Sequence, residues 1–239
     1  MKKSLPALAL LALCAFSLPP SSASATPKMD VKIAVGVGST TLVPRVPTVD
    51  LYSGGPDNPV YVGTVGGRNP STFPNWGMQL GARVTAGKIF GEIAIGFSRF
   101  YFNIGEQLQT IAEIEGNPIP DALQNQRARM NQLEIPLIAG YVPYANPYFK
   151  LFLYGGWVST FNLRGFADLN GDRKAFKFKP KDIPGYPLAI YVSGLRLGTQ
   201  FDLGPLNFDV SYTIGMNSYT SADYRTNSHV FKFFLGWLF

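Results

Sequence analysis

Apolar and polar residues alternate with a period of two through much of the chain. From Asp30, the residues Val31, Ile33, Val35 and Val37 alternate with Lys32, Ala34, Gly36 and Gly38. Successive side chains of a strand point to opposite faces, so this period predicts a strand with one bulky face and one small or polar face. Met78, Leu80, Ala82 and Val84 repeat the pattern, and after a turn at 85–88 so do Gly91, Ile93, Ile95 and Phe97, which makes the pair a hairpin. Two more strands follow, on Leu133, Ile135, Leu137, Ala139 and Tyr141, then on Phe149, Leu151 and Leu153. The last three are carried by Leu195, Leu197, Thr199 and Phe201, by Leu206, Phe208, Val210, Tyr212 and Ile214, and by Phe231, Phe233, Leu235, Trp237 and Phe239. Each of the eight is roughly the 9 to 11 residues that a tilted transmembrane strand needs. Pro136 cannot donate to a ladder and predicts a bulge or irregular pairing within its strand.

The composition of the two faces separates a membrane barrel from a soluble one. The polar face carries Gly36, Gly38, Gly77, Gly81, Gly96, Gly140, Gly194, Gly198, Gly215 and Gly236. That face suits a narrow lumen and not a solvated exterior. The opposite face is aliphatic and aromatic with almost no charge, a surface that lipid accepts, and a closed barrel leaves no unpaired backbone edge in a bilayer. Connections at 85–88, 142–146 and 202–205 are short, whereas those at 41–75, 103–130, 160–187 and 217–227 are long. This alternation predicts an all-β fold, an eight-stranded antiparallel up-and-down transmembrane β-barrel with short periplasmic turns and long extracellular loops, and both termini periplasmic.

Composition agrees. Only 15% of the 239 residues are charged, against about 25% in soluble domains. Outside residues 1–25 no apolar run approaches the ~20 residues of a membrane helix. Within that segment Lys2 and Lys3, an apolar stretch at 5–18, Pro19-Pro20 and Ala23-Ser24-Ala25 read as a cleaved signal peptide, which leaves 26–239 as the barrel domain. A lipoprotein anchored through Cys14 is the alternative, but Leu13 stands where a small residue is needed. Without Cys14 the exported chain has no cysteine, so disulfides and thiolate chemistry are excluded. Loss of Lys2 and Lys3 leaves a mild basic excess, and export argues against nucleic acid as a partner.

The face turned toward the lumen holds Lys32, Arg83, Lys150, Arg196 and Lys232 with Glu92, Glu134 and Asp209. Eight strands enclose an interior just wide enough for side chains, so these groups are expected to pair and plug it. A narrow conducting path is the alternative. Catalysis has little material. The single histidine, His229, lies near Ser228, Asp223 and Ser221, but alternation with Phe231 puts it on the outward face. Asp168-Leu169-Asn170-Gly171-Asp172 resembles the start of a calcium loop but lacks the later Glu, and an Asn-Gly turn accounts for it. No cofactor or metal site is expected. In the loop 160–187, Arg164, Arg173, Lys174, Lys177, Lys179 and Lys181 outnumber Asp168, Asp172 and Asp182, a basic ribbon with the charge to meet lipopolysaccharide phosphates. Leu108, Ile111, Ala112 and Ile114 are spaced for a short surface helix over 106–115 that ends at Gly116.

Several stretches together resemble the PorT-like outer-membrane β-barrel family. They are Leu133-Glu134-Ile135-Pro136-Leu137, Pro147-Tyr148 with Tyr154-Gly155-Gly156, the segment 194–201, Asp209-Val210-Ser211-Tyr212-Thr213-Ile214-Gly215, and the segment 230–239. Phe233, Leu235, Trp237 and Phe239, at two-residue steps to the terminus, are similar to the signal that the barrel-assembly machinery reads. The resemblance implies an outer-membrane protein of a Gram-negative cell with a structural, interaction or secretion-accessory role. Its partners would be outer-membrane lipid and envelope or secretion-system proteins. Solute or ion transport is the second expectation, and a rim hydrolase using His229 the third.

Overall fold

The computed structural model describes residues 26–44, 49–53, 60–65, 71–103, 127–167, 176–179, 188–219 and 226–239. The strands are β1 (Lys28–Pro44), β2 (Val49–Ser53), β3 (Val60–Val65), β4 (Ser71–Ala86), β5 (Ile89–Asn103) and β6 (Arg127–Ala145). After them come β7 (Phe149–Ala167), β8 (Phe176–Phe178), β9 (Tyr191–Leu203), β10 (Leu206–Gly215) and β11 (Thr226–Leu238). Eight of them form one closed antiparallel ring in the order β1, β4, β5, β6, β7, β9, β10, β11, which β1 completes by pairing with β11. These are the eight strands that alternation predicts.

The barrel strands run from 10 to 19 residues, and all but β10 are longer than the expected 9 to 11. The extra length lies where long loops were expected: β1, β4, β6 and β7 all continue into them. Two further elements occupy those connections, the β2–β3 hairpin between β1 and β4, and β8, which pairs with the end of β7. Both are too short to show a period. The calcium-like segment 168–172 and the helix expected over 106–115 lie outside the described residues, as does the segment 1–25.

The opposite end is closed by tight turns. Gly87-Lys88 joins β4 to β5 and Gly204-Pro205 joins β9 to β10, and both glycines have positive φ, 61° and 59°. Glycine takes the left-handed conformation that a two-residue hairpin requires without a Cβ penalty. Asp202, expected within the second turn, is instead a strand residue paired with Asn207. In the third turn the Asn146 side-chain oxygen accepts hydrogen bonds from the backbone N–H groups of Tyr148 (2.9 Å) and Phe149 (2.6 Å), an Asx-type closure.

Pro136 interrupts pairing with β5 opposite Ala94 and Ile95 but leaves the register the same on either side. The irregularity is a missing rung. The true bulges of β6–β7 pairing fall at Asn131/Gln132 and Tyr141/Tyr144.

Val35, Val37, Ile93, Ile95, Leu80, Leu197 and Leu235 form an outward belt, each of them exposed, with Ile95 at 52%. Aromatic residues edge it. At the turn end stand Tyr141, Tyr144, Tyr148 and Trp237, with the rings of Phe201 and Phe208 stacked at 5.1 Å. At the loop end Trp76 packs on Phe97 and Phe161 on Tyr191. Water would be a poor solvent for an apolar band of this extent. A bilayer core flanked by two interfaces is the matching one.

Candidate functional site

The inward positions of the barrel carry its ionisable chemistry. Seven of the eight expected lumen residues, Lys32, Arg83, Glu92, Glu134, Arg196, Asp209 and Lys232, are buried. Glycines at other inward positions make room for them. A Cβ at Gly198 would collide with the Tyr154 hydroxyl, so only glycine lets that phenol cross the lumen wall.

Near the loop end of the network, Glu134 of β6 is ion-paired with Lys232 of β11 and with Arg196 of β9, the latter at 3.3 Å. Ser98 donates to the same carboxylate at 2.6 Å, and Arg196 Nε donates to Thr213 at 3.0 Å. In the middle, Lys32 pairs with Glu92 and lies 3.7 Å from Asp209. Gln200 joins these groups: its amide donates to Glu92 (3.1 Å) and Asp209 (3.2 Å), and its carbonyl accepts from Arg83 (3.2 Å). Tyr154 donates to Asp209 at 2.6 Å. Toward the turn end, Arg83 makes a two-pronged contact with Asp202 at 2.5 and 3.3 Å, lies 3.6 Å from Asp30, and stacks over the Phe152 ring at 4.2 Å.

Three residues change the expected charge balance. Asp30 and Asp202 join the network, and the alternation pattern had passed over both because one begins a strand and the other sits beside a turn. Lys150 leaves it. It is the second residue of β7, next to the Asn146 turn, so it reaches only the rim; it is half-exposed and has no ion partner among the described residues. The expected five cations and three anions become four buried cations, Lys32, Arg83, Arg196 and Lys232, facing five buried anions, Asp30, Glu92, Glu134, Asp202 and Asp209. Lys28, at the rim, adds a further cation 2.9 Å from Asp30.

Apolar and neutral groups fill the remaining interior. Phe90, Ile138, Val142, Phe152 and Tyr154 form one cluster on the β5, β6 and β7 wall. Above Glu134, Gln132 donates to Asn162 and to Tyr219, both at 2.7 Å, and Phe100 packs edge-on against Tyr219. A cavity of about 210 Å³ opens at the turn end, lined by Lys28, Asp30, Lys150 and Asp202 among others. It reaches the turn-end members of the network, Asp30 and Asp202, and none of the residues deeper in the lumen lines it.

His229 is on the outward face, its Nδ1 2.8 Å from the hydroxyl of the exposed Tyr212. Ser228 points inward and is buried, so the two diverge, and Asp223 and Ser221 lie outside the described residues. Phe233, Leu235, Trp237 and Phe239 all face outward from the end of the chain. Of the basic ribbon, Arg164, Lys177 and Lys179 are described, with Arg164 on β7 itself and Lys177 on β8.

No family model matches the chain, and no curated protein matches it. Solved structures do align along most of its length. Ail, the attachment invasion locus protein of Yersinia pestis, is 9% identical over 89% of this chain and 99% of its own, with a TM-score of 0.42. Neisserial surface protein A is 12% identical over 89% and 99%, with a TM-score of 0.43. LpxR from Salmonella typhimurium is 10% identical over 88% and 100%, with a TM-score of 0.25.

Proposed function

We propose that this chain is a non-enzymatic outer-membrane barrel with a closed lumen, which acts through its outer surfaces as a structural or secretion-accessory protein of PorT-like type. The observation that carries this reading is the buried ionic network. Side chains from opposite walls meet in the middle of the lumen as buried ion pairs, which fill the bore there. A barrel that passes nothing has its exterior left for work.

Strand length supports the same view. The 19 residues of β6 or β7 correspond to roughly 65 Å of strand, or about 45 Å along the barrel axis at a tilt near 45°, against an apolar band of about 25 Å. The excess projects beyond the belt at the loop end as a rigid platform for envelope proteins. In this reading the turn end and both termini are periplasmic, residues 1–25 direct export, and Phe233, Leu235, Trp237 and Phe239 are offered to the barrel-assembly machinery.

Two measurements test it. The folded protein in a planar bilayer is expected to show no single-channel steps, and the tagged protein taken from native outer membranes in mild detergent is expected to retain envelope partners identifiable by mass spectrometry. Regular conductance steps would replace this reading with transport. A silent barrel recovered alone would remove the accessory role.

A further inference from the structure

The outer wall at the loop end carries three arginines on three neighbouring strands: Arg99 on β5, Arg129 on β6 and Arg164 on β7. Cross-strand register sets them in two rows. Trp76, Arg99, Asn131 and Arg164 are successive partners across β4 to β7, and Tyr101, Arg129 and Phe166 are partners in the next row. Strands are spaced by about 4.8 Å, so the backbones of Arg99 and Arg164 lie roughly 10 Å apart. The row beneath is wholly apolar: Met78, Phe97, Leu133 and Phe161. The arginines therefore stand on the first polar step above the lipid-facing belt.

Two of them are held in place. Arg99 donates from Nε to Asn131 at 2.7 Å and lies over the Trp76 ring at 5.5 Å, and Arg129 lies over the Phe166 ring at 5.4 Å. The third is aimed by the bulge at Asn131/Gln132. Gln132 pairs with the inward Asn162, but Asn131 pairs with Arg164, so Leu163 is an inserted residue. Strict alternation from Asn162 would turn Arg164 inward. The insertion reverses it: Arg164 is exposed and Gly165 is buried.

Among the described residues none of the three has an acidic partner on that wall. Of the carboxylates whose side chains are described, Asp30, Glu92, Glu134, Asp202 and Asp209 all face the interior. Guanidinium groups bind phosphate with paired charge-assisted hydrogen bonds, and flanking aromatic rings suit the apolar-to-polar boundary of a membrane.

We infer that Arg99, Arg129 and Arg164 form a binding site for the phosphorylated headgroup of a lipid whose acyl chains lie on the apolar belt directly below. The site rests on the membrane reading of the barrel. It shares Arg164 with the basic segment 160–187 but is built on the barrel wall, on β5, β6 and β7.

The test uses the folded full chain in a non-ionic detergent and native mass spectrometry with diphosphoryl lipid A, its dephosphorylated form and inorganic phosphate as competitor. The wild type is expected to prefer the diphosphoryl lipid by roughly tenfold or more, as two or more charge-assisted contacts imply. Changing Arg99, Arg129 and Arg164 together to Gln is expected to remove that preference, Lys88→Gln at the turn end to leave it intact, and inorganic phosphate to leave the lipid bound. Equal binding of the two lipids by the wild type would overturn the inference, as would an unchanged preference in the triple variant. Displacement by inorganic phosphate would make the site one for a free anion and would also overturn it. Should the triple variant fail to show the gel mobility of a folded barrel, Arg164→Gln alone, at an exposed position, is expected to weaken the preference several-fold, and no change there would count against the site. Exclusion of the wild type from lipid nanodiscs would instead sink the membrane reading.

Discussion

Lys232 and Glu134 are ion-paired across the full width of the barrel: β11 and β6, which carry them, are four strands apart by either path around the ring of eight. Arg83 of β4 and Asp202 of β9 stand in the same relation. In projection the two bridges cross nearly at right angles. The carboxylate of Glu134 also serves Arg196, so removing it leaves two buried cations without their partner. Glu134→Ala is expected to destabilise the barrel by about 3 to 5 kcal/mol, read as a lower urea midpoint for unfolding from lipid vesicles. Lys232→Met combined with Glu134→Leu should recover much of the loss, because an apolar pair of similar volume leaves only Arg196 unmatched.

The two bridges are expected to seal the lumen jointly. A variant with Arg83→Ala and Glu134→Ala should show small conductance steps in a planar bilayer where the wild type is silent. Neither single change should conduct, since the other bridge still spans the bore. Silence of the double variant would assign the seal to the aromatic and amide groups around Phe90 and Gln132.

Tyr154 crosses above Gly198 to donate to Asp209. Loss of the hydroxyl in Tyr154→Phe removes a hydrogen bond to a buried charged group, worth about 1.5 to 3 kcal/mol. Gly198→Val is expected to be worse, since the new side chain occupies the space of the phenol itself. Thermal shifts of the heat-modifiable band on gels would rank the two.

A charge on the outer belt should act according to depth. Ile95 lies in the row Ile33, Leu80, Ile95, well inside the belt, and Ile95→Arg is expected to reduce stability in vesicles by about 2 to 4 kcal/mol. Tyr148→Arg, at the turn rim where the side chain is 81% exposed, should change it by at most about 1 kcal/mol. Equal effects at the two positions would show that lipid does not surround this wall.

Much of this architecture was legible in the sequence because a lipid-facing wall and a filled lumen demand opposite residues at every second position. The pattern at Val31 to Val37 and at Phe231 to Phe239 therefore marks strand, face and burial together. Charged residues within that pattern, such as Lys32 and Lys232, could be assigned to the lumen. The pattern fails where period and register part company. One inserted residue at Leu163 reverses the faces of Arg164 and Phe166, and nothing in local composition marks it. Asp202 looked like a turn residue because Gly204-Pro205 is so compact that the strand runs almost into it. Lys150 has the right parity but the wrong depth, and depth depends on strand stagger, which only the closed ring sets. The partners within the lumen were equally hidden: Arg83 and Asp202 are 119 residues apart, and no local signal links them.

The seam between β1 and β11 has a kinetic consequence. The first and last barrel strands are mutual neighbours, so no shorter stretch of chain contains a complete ring. Until they meet, Lys32, Arg83, Glu134 and Lys232 have lost water on neither side, and an unclosed sheet keeps a wet, charged face. Entry into the hydrocarbon of such a sheet would bury unpaired ions, so ring closure and insertion are expected to proceed as one slow, concerted event governed by the most distant contact in the chain.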